Sequence, residues 1–527
     1  MKKLLKKIIV RGFLLVALGL CALWSFLAFK AWRADPLELW HTYAPKEMSV
    51  SEMDGADWKT YLRHEDRIFK DVLEQVSKRL PAKSKVPTNR FYEGSLVHPP
   101  RLAQDWNHSY EIFPEGEIKG AAVFLHGLTD SPYSLRHVAE LYARRGFVAV
   151  GIRLPGHGTV PAGLTKTTWA DWMAATRLAV REASRIAGPD KPVHVVGFSN
   201  GGALALKYAM DALEDTALRK ADRLVMLSPM IAITRFARFA GITAVPAVLP
   251  AFTQAAWLNV IPEFNPFKYN SFPAKGARQS YKLCRVLQNQ IVRLSTTEAF
   301  TTLPPILTFQ SVLDYTVSSP AILYHLYAYL PDNGSELVLY DINQGSLLGG
   351  IMRPGAALSL QRMTPRDPQR YTLSIVRNRA PGDQRTMLVT RKAGGMAESR
   401  KNLEFIYPKG VFSLSHGALP FPMDDALYGL TPSPENAALY GINLGNITVR
   451  GERGALLVPM ETILRMSSNP FFPLLLSQVE KGIADPKPLV ARPSRLPAPP
   501  PLPKEVKSEF KTFLSESGNE DSAAPLF

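Results

Sequence analysis

The stretch that decides the fold is VHVVGFSNGGALALKYAM, residues 193–210. Its opening residues, VHVVG, form a short β-branched run that is typical of a buried strand. The next part, GFSNG at 197–201, has the pattern G-x-S-x-G, and the small and apolar residues after it predict a helix. A sharp turn from strand to helix holds the central serine in strained backbone geometry, and the flanking glycines prevent side-chain collisions. Ser199 is therefore the candidate nucleophile, at the carboxyl end of a buried strand.

On both sides of this stretch, predicted strands and helices alternate. The helices are Ala139–Gly146, Trp169–Ile186 and the segment that follows Ser199. The strands are Tyr110–Phe113, Gly120–Leu125, Phe147–Ile152, Val193–Gly197, Arg223–Ser228, Pro304–Gln310 and Glu336–Tyr340. Short β-branched runs between amphipathic helices are what a parallel sheet covered on both faces requires, so the predicted fold class is α/β.

A helical extension, residues 36–114, is expected before this domain. Between Ala56 and Leu80, aromatic and apolar residues recur at helical spacing among charged ones. This spacing predicts a helix that packs against the main domain, with a membrane or a partner protein as the alternative contact. The α/β domain itself is expected to occupy residues 115–483.

Three further segments differ from the strand and helix alternation. Residues 230–300 are apolar, aromatic and proline-containing, and we interpret them as a cap. Residues 345–405 are rich in Gly, Arg and Pro, with a strand-like run at Tyr371–Val376, and we interpret them as an irregular insertion before the last strand. Residues 484–527 are predicted to be a disordered tail, because a proline-rich and then polar composition cannot bury enough apolar surface to fold.

Residues 1–35 have the features of a membrane anchor. The run Gly12–Phe29 contains 18 residues without a charge, which is close to the minimum that spans a bilayer as a helix. Five basic residues precede this run and two follow it. This bias predicts a cytoplasmic amino terminus and an exported domain, on the periplasmic side of the inner membrane if the source is bacterial. A cleaved signal peptide and lipidation at Cys21 are the alternatives, but no small-x-small cleavage pattern follows the run.

Charge and composition exclude several classes of function. The chain has 527 residues and a net charge of +16, but seven of its basic residues lie within residues 1–33, where there is no acid. The remainder has no basic stripe interleaved with aromatic residues, so nucleic-acid binding is not expected. Two cysteines, Cys21 and Cys284, cannot make a disulfide framework. No Cys/His cluster predicts a metal site, and no cofactor is expected.

A nucleophilic serine needs an acid and a base, which in this fold class follow the serine in the order acid, then histidine. Of the ten histidines, only His325 and His416 lie after Ser199. His416, in VFSLSHGALPFP after a predicted strand, is the expected base, because the apolar helical stretch around His325 indicates a structural role. Asp314, in the loop SVLDYTVSSP after another strand, is the expected acid, and Asp341 is the alternative.

The tetrahedral intermediate of acyl transfer also needs backbone N–H donors. The N–H of Asn200, the residue after the candidate nucleophile, is the first expected donor. The second is the N–H of Leu128, in the sequence VFLHGLTDS that closes an earlier strand. His126 in the same sequence is expected to orient this loop, and a catalytic role for its imidazole is the alternative.

Together these pieces resemble the α/β-hydrolase superfamily, and within it the group of monoacylglycerol lipases, carboxylesterases and serine aminopeptidases. The resemblance rests on residues 126–159, on GFSNGG at 197–202 and on the loops that contain Asp314 and His416. Residues 345–405 and the amino-terminal anchor are departures from the compact, soluble members of the group.

The resemblance implies hydrolysis of carboxylic esters, with a small acyl ester or a lipid as substrate, through an acyl-enzyme. A serine peptidase or an acyltransferase with the same triad is an alternative. A third is a non-catalytic scaffold that keeps the hydrolase fold, because fold alone does not define activity.

Overall fold

The structure is a computed structural model. It describes residues 36–232, 256–314, 316–345, 358–409, 411, 413–445 and 468–484, together with short stretches between residues 10 and 25. Most of the predicted anchor, residues 233–255 of the predicted cap and nearly all of the predicted tail lie outside the described residues. Among the helices that are described, none has both the length and the apolar character that crossing a bilayer requires.

The described residues include twelve strands, and ten of these form one sheet. The strands in chain order are β1 (Tyr110–Ile112), β2 (Gly120–Leu125), β3 (Phe147–Ile152), β4 (Val193–Phe198), β5 (Arg223–Leu227), β6 (Trp257–Asn259), β7 (Phe272–Pro273), β8 (Ile306–Ser311), β9 (Glu336–Tyr340), β10 (Thr372–Asn378), β11 (Arg385–Arg391) and β12 (Glu398–Ile406). The order across the sheet is β1-β3-β2-β4-β5-β8-β9-β10-β11-β12, and β6 and β7 form a separate hairpin. All pairs from β3 across to β10 are parallel, which confirms the predicted α/β class with a mostly parallel sheet.

Helices cover both faces of this sheet. The α-helices are α1 (Leu39–Thr42), α2 (Val50–Gly55), α3 (Trp58–Gln75), α4 (Arg136–Arg144), α5 (Trp169–Ala187), α6 (Asn200–Glu214), α7 (Ala274–Leu294), α8 (Ser319–Ile322), α9 (Ser359–Met363), α10 (Pro434–Ala438) and α11 (Phe472–Ala484). Helices α5, α6 and α7 contribute to the core on one face, and α4 and α11 contribute to the core on the other. Successive residues of β2 alternate between the two cores, Val123 in the first and Phe124 in the second, because side chains of a strand point to opposite faces.

The extension before the sheet packs closely on the core that contains α5, α6 and α7. Helix α3 lies within the region between Ala56 and Leu80 where the spacing predicts a helix. Met53, Trp58 and Tyr61 are buried in the same cluster as residues of α5. The predicted contact with the main domain is therefore the observed one.

Residues 358–405, the part of the predicted insertion at 345–405 that the structure describes, are not irregular, and here the prediction is wrong. They contain β10, β11 and most of β12, which extend the sheet beyond β9. Strand β10 is parallel to β9, whereas β11 and β12 are antiparallel to their neighbours. The Gly- and Pro-containing stretches 379–384 and 392–397 are the connections between these strands, where such residues are expected.

Two local predictions near the site also differ from the structure. Residues 274–294 of the predicted cap are helix α7, whose Leu283, Leu287 and Ile291 recur at helical spacing and are fully buried in the main core. The predicted strand before His416 is absent from the described residues there, and His416–Ala418 form a single 3₁₀ turn. The last strand of the sheet is β12, which ends ten residues earlier.

Candidate active site

Ser199 lies at the sharp turn between β4 and α6. Its backbone has φ 54° and ψ −113°, a conformation that a residue with a side chain adopts only at a cost. A side-chain carbon at Gly201 would lie 1.8 Å from the backbone oxygen of Leu125, and one at Gly197 would lie 2.3 Å from that of Gly201. Both positions therefore require glycine, and the pattern G-x-S-x-G is explained by close backbone approach. The serine is 7% exposed, at the amino terminus of α6.

Asp314 and His416, which are 102 residues apart in the chain, form a hydrogen-bonded pair. The Nδ1 atom of His416 lies 2.8 Å from the Oδ2 atom of Asp314. The other carboxylate oxygen of Asp314 accepts the N–H groups of Thr316 and Val317 at 2.8 and 3.0 Å. Gln310 at the end of β8 donates to Oδ2 at 3.1 Å. The carboxylate is thus fixed in one orientation towards the imidazole.

This pairing determines which nitrogen of His416 is free to act. An ionised carboxylate only accepts, so the proton of the neutral ring is on Nδ1 and Nε2 has the lone pair. Nε2 is buried and has no hydrogen-bond partner among the described residues. It therefore makes no hydrogen bond to the hydroxyl of Ser199. The imidazole lies against Phe198, the residue before Ser199, with 5.3 Å between ring centroids. Serine–histidine hydrogen bonds are commonly long before substrate binds.

The charge of Asp314 is stabilised despite its burial. Burial of the carboxylate would raise its pKa, but the charge and hydrogen bond of His416, together with the backbone N–H donors, lower the pKa below its usual value. Asp314 is therefore ionised at neutral pH and can stabilise a positive imidazolium.

The two predicted oxyanion donors belong to segments that adjoin Ser199. The Asn200 N–H is the first of helix α6, and the Leu128 N–H belongs to the loop after β2, residues 126–131, which we call the oxyanion loop. In the described part of the chain, neither N–H donates to a protein acceptor. A side-chain carbon at Gly127 would lie 3.4 Å from the Cβ atom of Ser199, so this loop passes directly beside the serine.

The ring of His126 determines the orientation of the oxyanion loop. Its Nε2 accepts the N–H of Leu154 at 3.0 Å, so Nδ1 has the proton and donates to the backbone oxygen of Gly127 at 2.9 Å. That carbonyl and the N–H of Leu128 belong to one trans peptide unit and point in opposite directions. Burial lowers the pKa of His126 well below its usual value. The neutral imidazole therefore fixes the direction of the Leu128 N–H, as expected of an orienting residue.

The alternatives to Asp314 and His416 are engaged elsewhere. Asp341 accepts the N–H of Ile342 at 2.8 Å, lies 4.0 Å from Arg377 and makes no hydrogen bond to a histidine in the described residues. His325 lies in the single π-helical turn Leu323–Tyr327, and burial lowers its pKa to about 4.

Sequence reasoning missed Asp425, which holds the segment that contains His416. Its carboxylate is fully buried, pairs with Arg136 of α4, and accepts from His137 at 2.9 Å and from the hydroxyl of Tyr133 at 3.1 Å. It also accepts the backbone N–H groups of Leu427 and Tyr428. Asp425 thus fastens residues 413–445 to the domain, although no local pattern distinguishes it from its neighbour in the sequence.

Asp130, in the oxyanion loop, is a second acid that sequence reasoning missed. It is 3% exposed and accepts the N–H of Ser131 at 3.2 Å. Burial raises its pKa to about 6, although the charges of Lys268 and His416 oppose this. Within the described residues, no group of three His, Cys, Asp or Glu side chains could hold a metal ion.

A nucleophile elbow on a mostly parallel sheet, followed along the chain by an acid and a histidine, defines the class of α/β hydrolases. Residues 122–360 match the alpha/beta hydrolase family. We call this part of the chain the hydrolase domain after the family that it matches, and the similar proteins are lipases and esterases.

Three relatives illustrate the similarity. The thermostable monoacylglycerol lipase of Bacillus sp. (strain H-257) is 34% identical over 87 residues, which are 16% of this chain and 34% of that protein. The chain thus spans about a third of the length of the curated relative it matches. A metagenome-derived lipolytic enzyme is 22% identical, with 44% of this chain and 87% of the other covered and a TM-score of 0.36. A soluble variant of the monoglyceride lipase of Saccharomyces cerevisiae is 13% identical, with 44% and 81% covered and a TM-score of 0.34.

Proposed function

We propose that this protein is a membrane-anchored serine hydrolase that cleaves carboxylic esters through an acyl-enzyme on Ser199. The observation that carries the proposal is the hydrogen bond of 2.8 Å between Asp314 and His416, which leaves a buried Nε2, unpartnered among the described residues, beside the strained turn at Ser199. A buried nitrogen without a partner is costly, and such costs are commonly found where a site is ready for substrate.

In the proposed first step, Nε2 of His416 takes the proton of the Ser199 hydroxyl as its oxygen attacks the ester carbonyl. Asp314 stays ionised and stabilises the imidazolium. The imidazolium then donates its proton to the departing alcohol, which leaves the acyl group on Ser199. In the second half, His416 activates a water molecule that releases the acid.

The N–H groups of Leu128 and Asn200 are proposed to hold the oxyanion of both tetrahedral intermediates. Because neither is engaged by an acceptor among the residues that the structure describes, both can donate to the developing charge. Loss of one such donor in a serine hydrolase typically lowers kcat by about 10²- to 10³-fold. The low exposure of Ser199 excludes most water, which strengthens these interactions.

The proposed substrate is an ester of a fatty acyl chain with a small alcohol. The support is that the curated relative is a monoacylglycerol lipase. Residues 230–300, in which aromatic and apolar side chains are frequent, are proposed to contain the cap that receives the acyl chain.

The test is hydrolysis of p-nitrophenyl esters of graded chain length by the full chain in detergent, with Ser199→Ala as the variant. We expect activity of the wild type and a loss of at least about 10³-fold in the variant. Ser228→Ala is the matched control, because Ser228 directly follows the neighbouring strand β5 and also has a positive φ, of 41°. Equal rates for wild type and Ser199→Ala would exclude this mechanism.

The same proteins distinguish the alternatives. Aminoacyl anilides test for peptidase activity, and an added alcohol tests for acyl transfer. A fluorophosphonate should label the wild type and not Ser199→Ala. A non-catalytic scaffold would give no labelling of Ser199 and no turnover of any of these substrates.

We further propose that residues 12–29 anchor the chain, with a cytoplasmic amino terminus and an exported hydrolase domain. The support is the uncharged run and the excess of basic residues before it. Protease added to intact spheroplasts should digest the hydrolase domain if the source is a bacterium. Protection of the domain until the membrane is broken would overturn the proposed orientation.

A further inference from the structure

Arg153, directly after β3, is fully buried and has its counter-charges in the amino-terminal extension. Its two terminal nitrogens donate to the two carboxylate oxygens of Glu47 at 2.8 and 2.9 Å. Its Nε donates to Glu65 at 3.0 Å. The side chains of Glu47 and Glu65 are 9% and 2% exposed. The extension therefore supplies both acids for an arginine that belongs to the hydrolase domain.

Glu47 also holds the backbone that follows Arg153. Its Oε1 accepts the N–H of Gly156 at 2.7 Å, and Arg153 donates to the backbone oxygen of His157 at 3.1 Å. One ion pair thus fixes the loop of residues 153–158 at Arg153, Gly156 and His157. Gly156 has φ 81°, a conformation in which a residue with a side chain would be strained.

This loop leads to the predicted oxyanion donor. The N–H of Leu154 donates to Nε2 of His126, and Nδ1 of His126 donates to the carbonyl of Gly127, whose peptide unit contains the N–H of Leu128. The hydrogen bonds in this series are 3.0 Å or shorter, and peptide bonds join Arg153 to Leu154 and Gly127 to Leu128. A shift of the 153–158 loop would move the acceptor ring of His126, and with it the direction of the Leu128 N–H.

We propose that Glu47 is a positioning residue for catalysis, which orients the Leu128 N–H through Arg153, Leu154 and His126. The amino-terminal extension then contributes to catalysis, in addition to linking the hydrolase domain to the proposed anchor. This inference rests on the proposed function, because it assigns Glu47 to the oxyanion donor of that reaction. Misplacement of a catalytic group by about 1 Å can cost up to about 10²-fold in rate.

The test compares Glu47→Gln with Asp54→Asn in the full chain in detergent. Asp54 is a matched control, because it also lies in the extension and makes a two-point ion pair, with Arg177 of α5 at 2.8 Å, away from the 153–158 loop. We expect Glu47→Gln to lower kcat by about 10- to 100-fold with little change in KM, since an interaction made only in the transition state is weakened. The rate of labelling by a fluorophosphonate should fall in parallel.

Glu47→Asp is the second variant, in case Glu47→Gln does not fold. It keeps the charge beside Arg153 but shortens the side chain, so the carboxylate cannot reach Arg153 and the Gly156 N–H together. We expect kcat to fall several-fold while thermal unfolding stays close to that of the wild type. Unchanged kcat in either folded Glu47 variant overturns the inference, and the proposed function stands if Ser199→Ala is inactive in the same assay. If Ser199→Ala is as active as the wild type, the proposed function itself fails.

Discussion

The amino-terminal extension and residues 413–445 are each attached to the hydrolase domain through a buried arginine, but in different ways. In the amino-terminal extension, Arg153 is shared by two carboxylates, Glu47 and Glu65. In residues 413–445, a single carboxylate, Asp425, takes Arg136 and four further donors. The first arrangement keeps one acid when the other is lost, whereas the second depends entirely on one side chain. Loss of one acid should therefore weaken the attachment of residues 413–445 more than that of the amino-terminal extension.

The largest expected effect is that of Asp425→Ala. Removal of this carboxylate leaves the buried guanidinium of Arg136 without its counter-charge and several N–H and O–H groups without an acceptor. We expect the free energy of unfolding to fall by about 3–5 kcal/mol, as for other broken buried ion pairs, measured by urea denaturation. The neighbouring Asp424 is exposed, and Asp424→Ala should change stability by less than about 0.5 kcal/mol. Similar losses for both variants would contradict the role of Asp425.

A smaller effect is expected for Glu65→Gln. Arg153 keeps the two-point contact with Glu47, and the glutamine can still accept one of the hydrogen bonds that Ser109 and Arg153 make to Glu65. We expect a loss of about 1–2 kcal/mol, which is the range for a hydrogen bond to a charged group. Urea denaturation at the same pH makes the comparison direct. A loss as large as that of Asp425→Ala would mean that the two acids of Arg153 do not substitute for each other.

Acid should act on Asp425 and on Glu65 in opposite directions. Burial opposes the charge of Asp425, but Arg136 and His137 hold its pKa well below the usual value. Its stabilising contribution is thus present above the ordinary pKa of aspartate, near pH 4, and is lost as pH falls below it. Burial raises the pKa of Glu65, so its ionised form is penalised at neutral pH and the penalty is relieved as pH falls through that raised pKa.

The measurement is urea denaturation between pH 3 and pH 7 for the wild type, Asp425→Asn and Glu65→Gln. We expect the stability difference between the wild type and Asp425→Asn to shrink below about pH 4, by at most about 1.4 kcal/mol per pH unit. The difference for Glu65→Gln should change with the opposite slope. Equal slopes for the two variants would show that the two acids have the same electrostatic environment.

The smallest effect is expected for the exposed ion pair between Asp54 and Arg177, whose side chains are 40% and 24% exposed. Exposed pairs contribute about 0–1 kcal/mol. Asp54→Asn should therefore lower thermal stability only slightly, and 0.5 M salt should remove most of the difference. A loss comparable to that of Glu65→Gln would contradict the distinction between buried and exposed attachments.

The parts of the fold that local sequence determines were predictable. The strands from β2 to β9 in the main sheet and helix α5 were expected within about two residues of their observed bounds, because β-branched runs and helical spacing depend on nearby residues. The turn at Ser199 was expected for the same reason. Asp314 and His416 followed from their order along the chain and the predicted strand before the acid, and the structure places them in hydrogen-bond contact.

What could not be predicted depends on contacts between distant residues. Asp425 and Arg136 are 289 residues apart, and Glu47 and Arg153 are 106 apart, so no window of sequence contains either pair. Strands β10–β12 were missed for a different reason. Their connecting turns contribute the Gly and Pro residues that make the whole segment appear irregular when its composition is averaged.

The three strands β10–β12 have a consequence for biosynthesis. They stand in the chain between Asp314 and His416, so the carboxylate emerges from the ribosome 102 residues before the imidazole it binds. A chain that ends between residues 314 and 416 contains the serine and the acid but lacks the base of the proposed mechanism. Under the proposed mechanism, activity is therefore acquired only after strands β10–β12 have been synthesised.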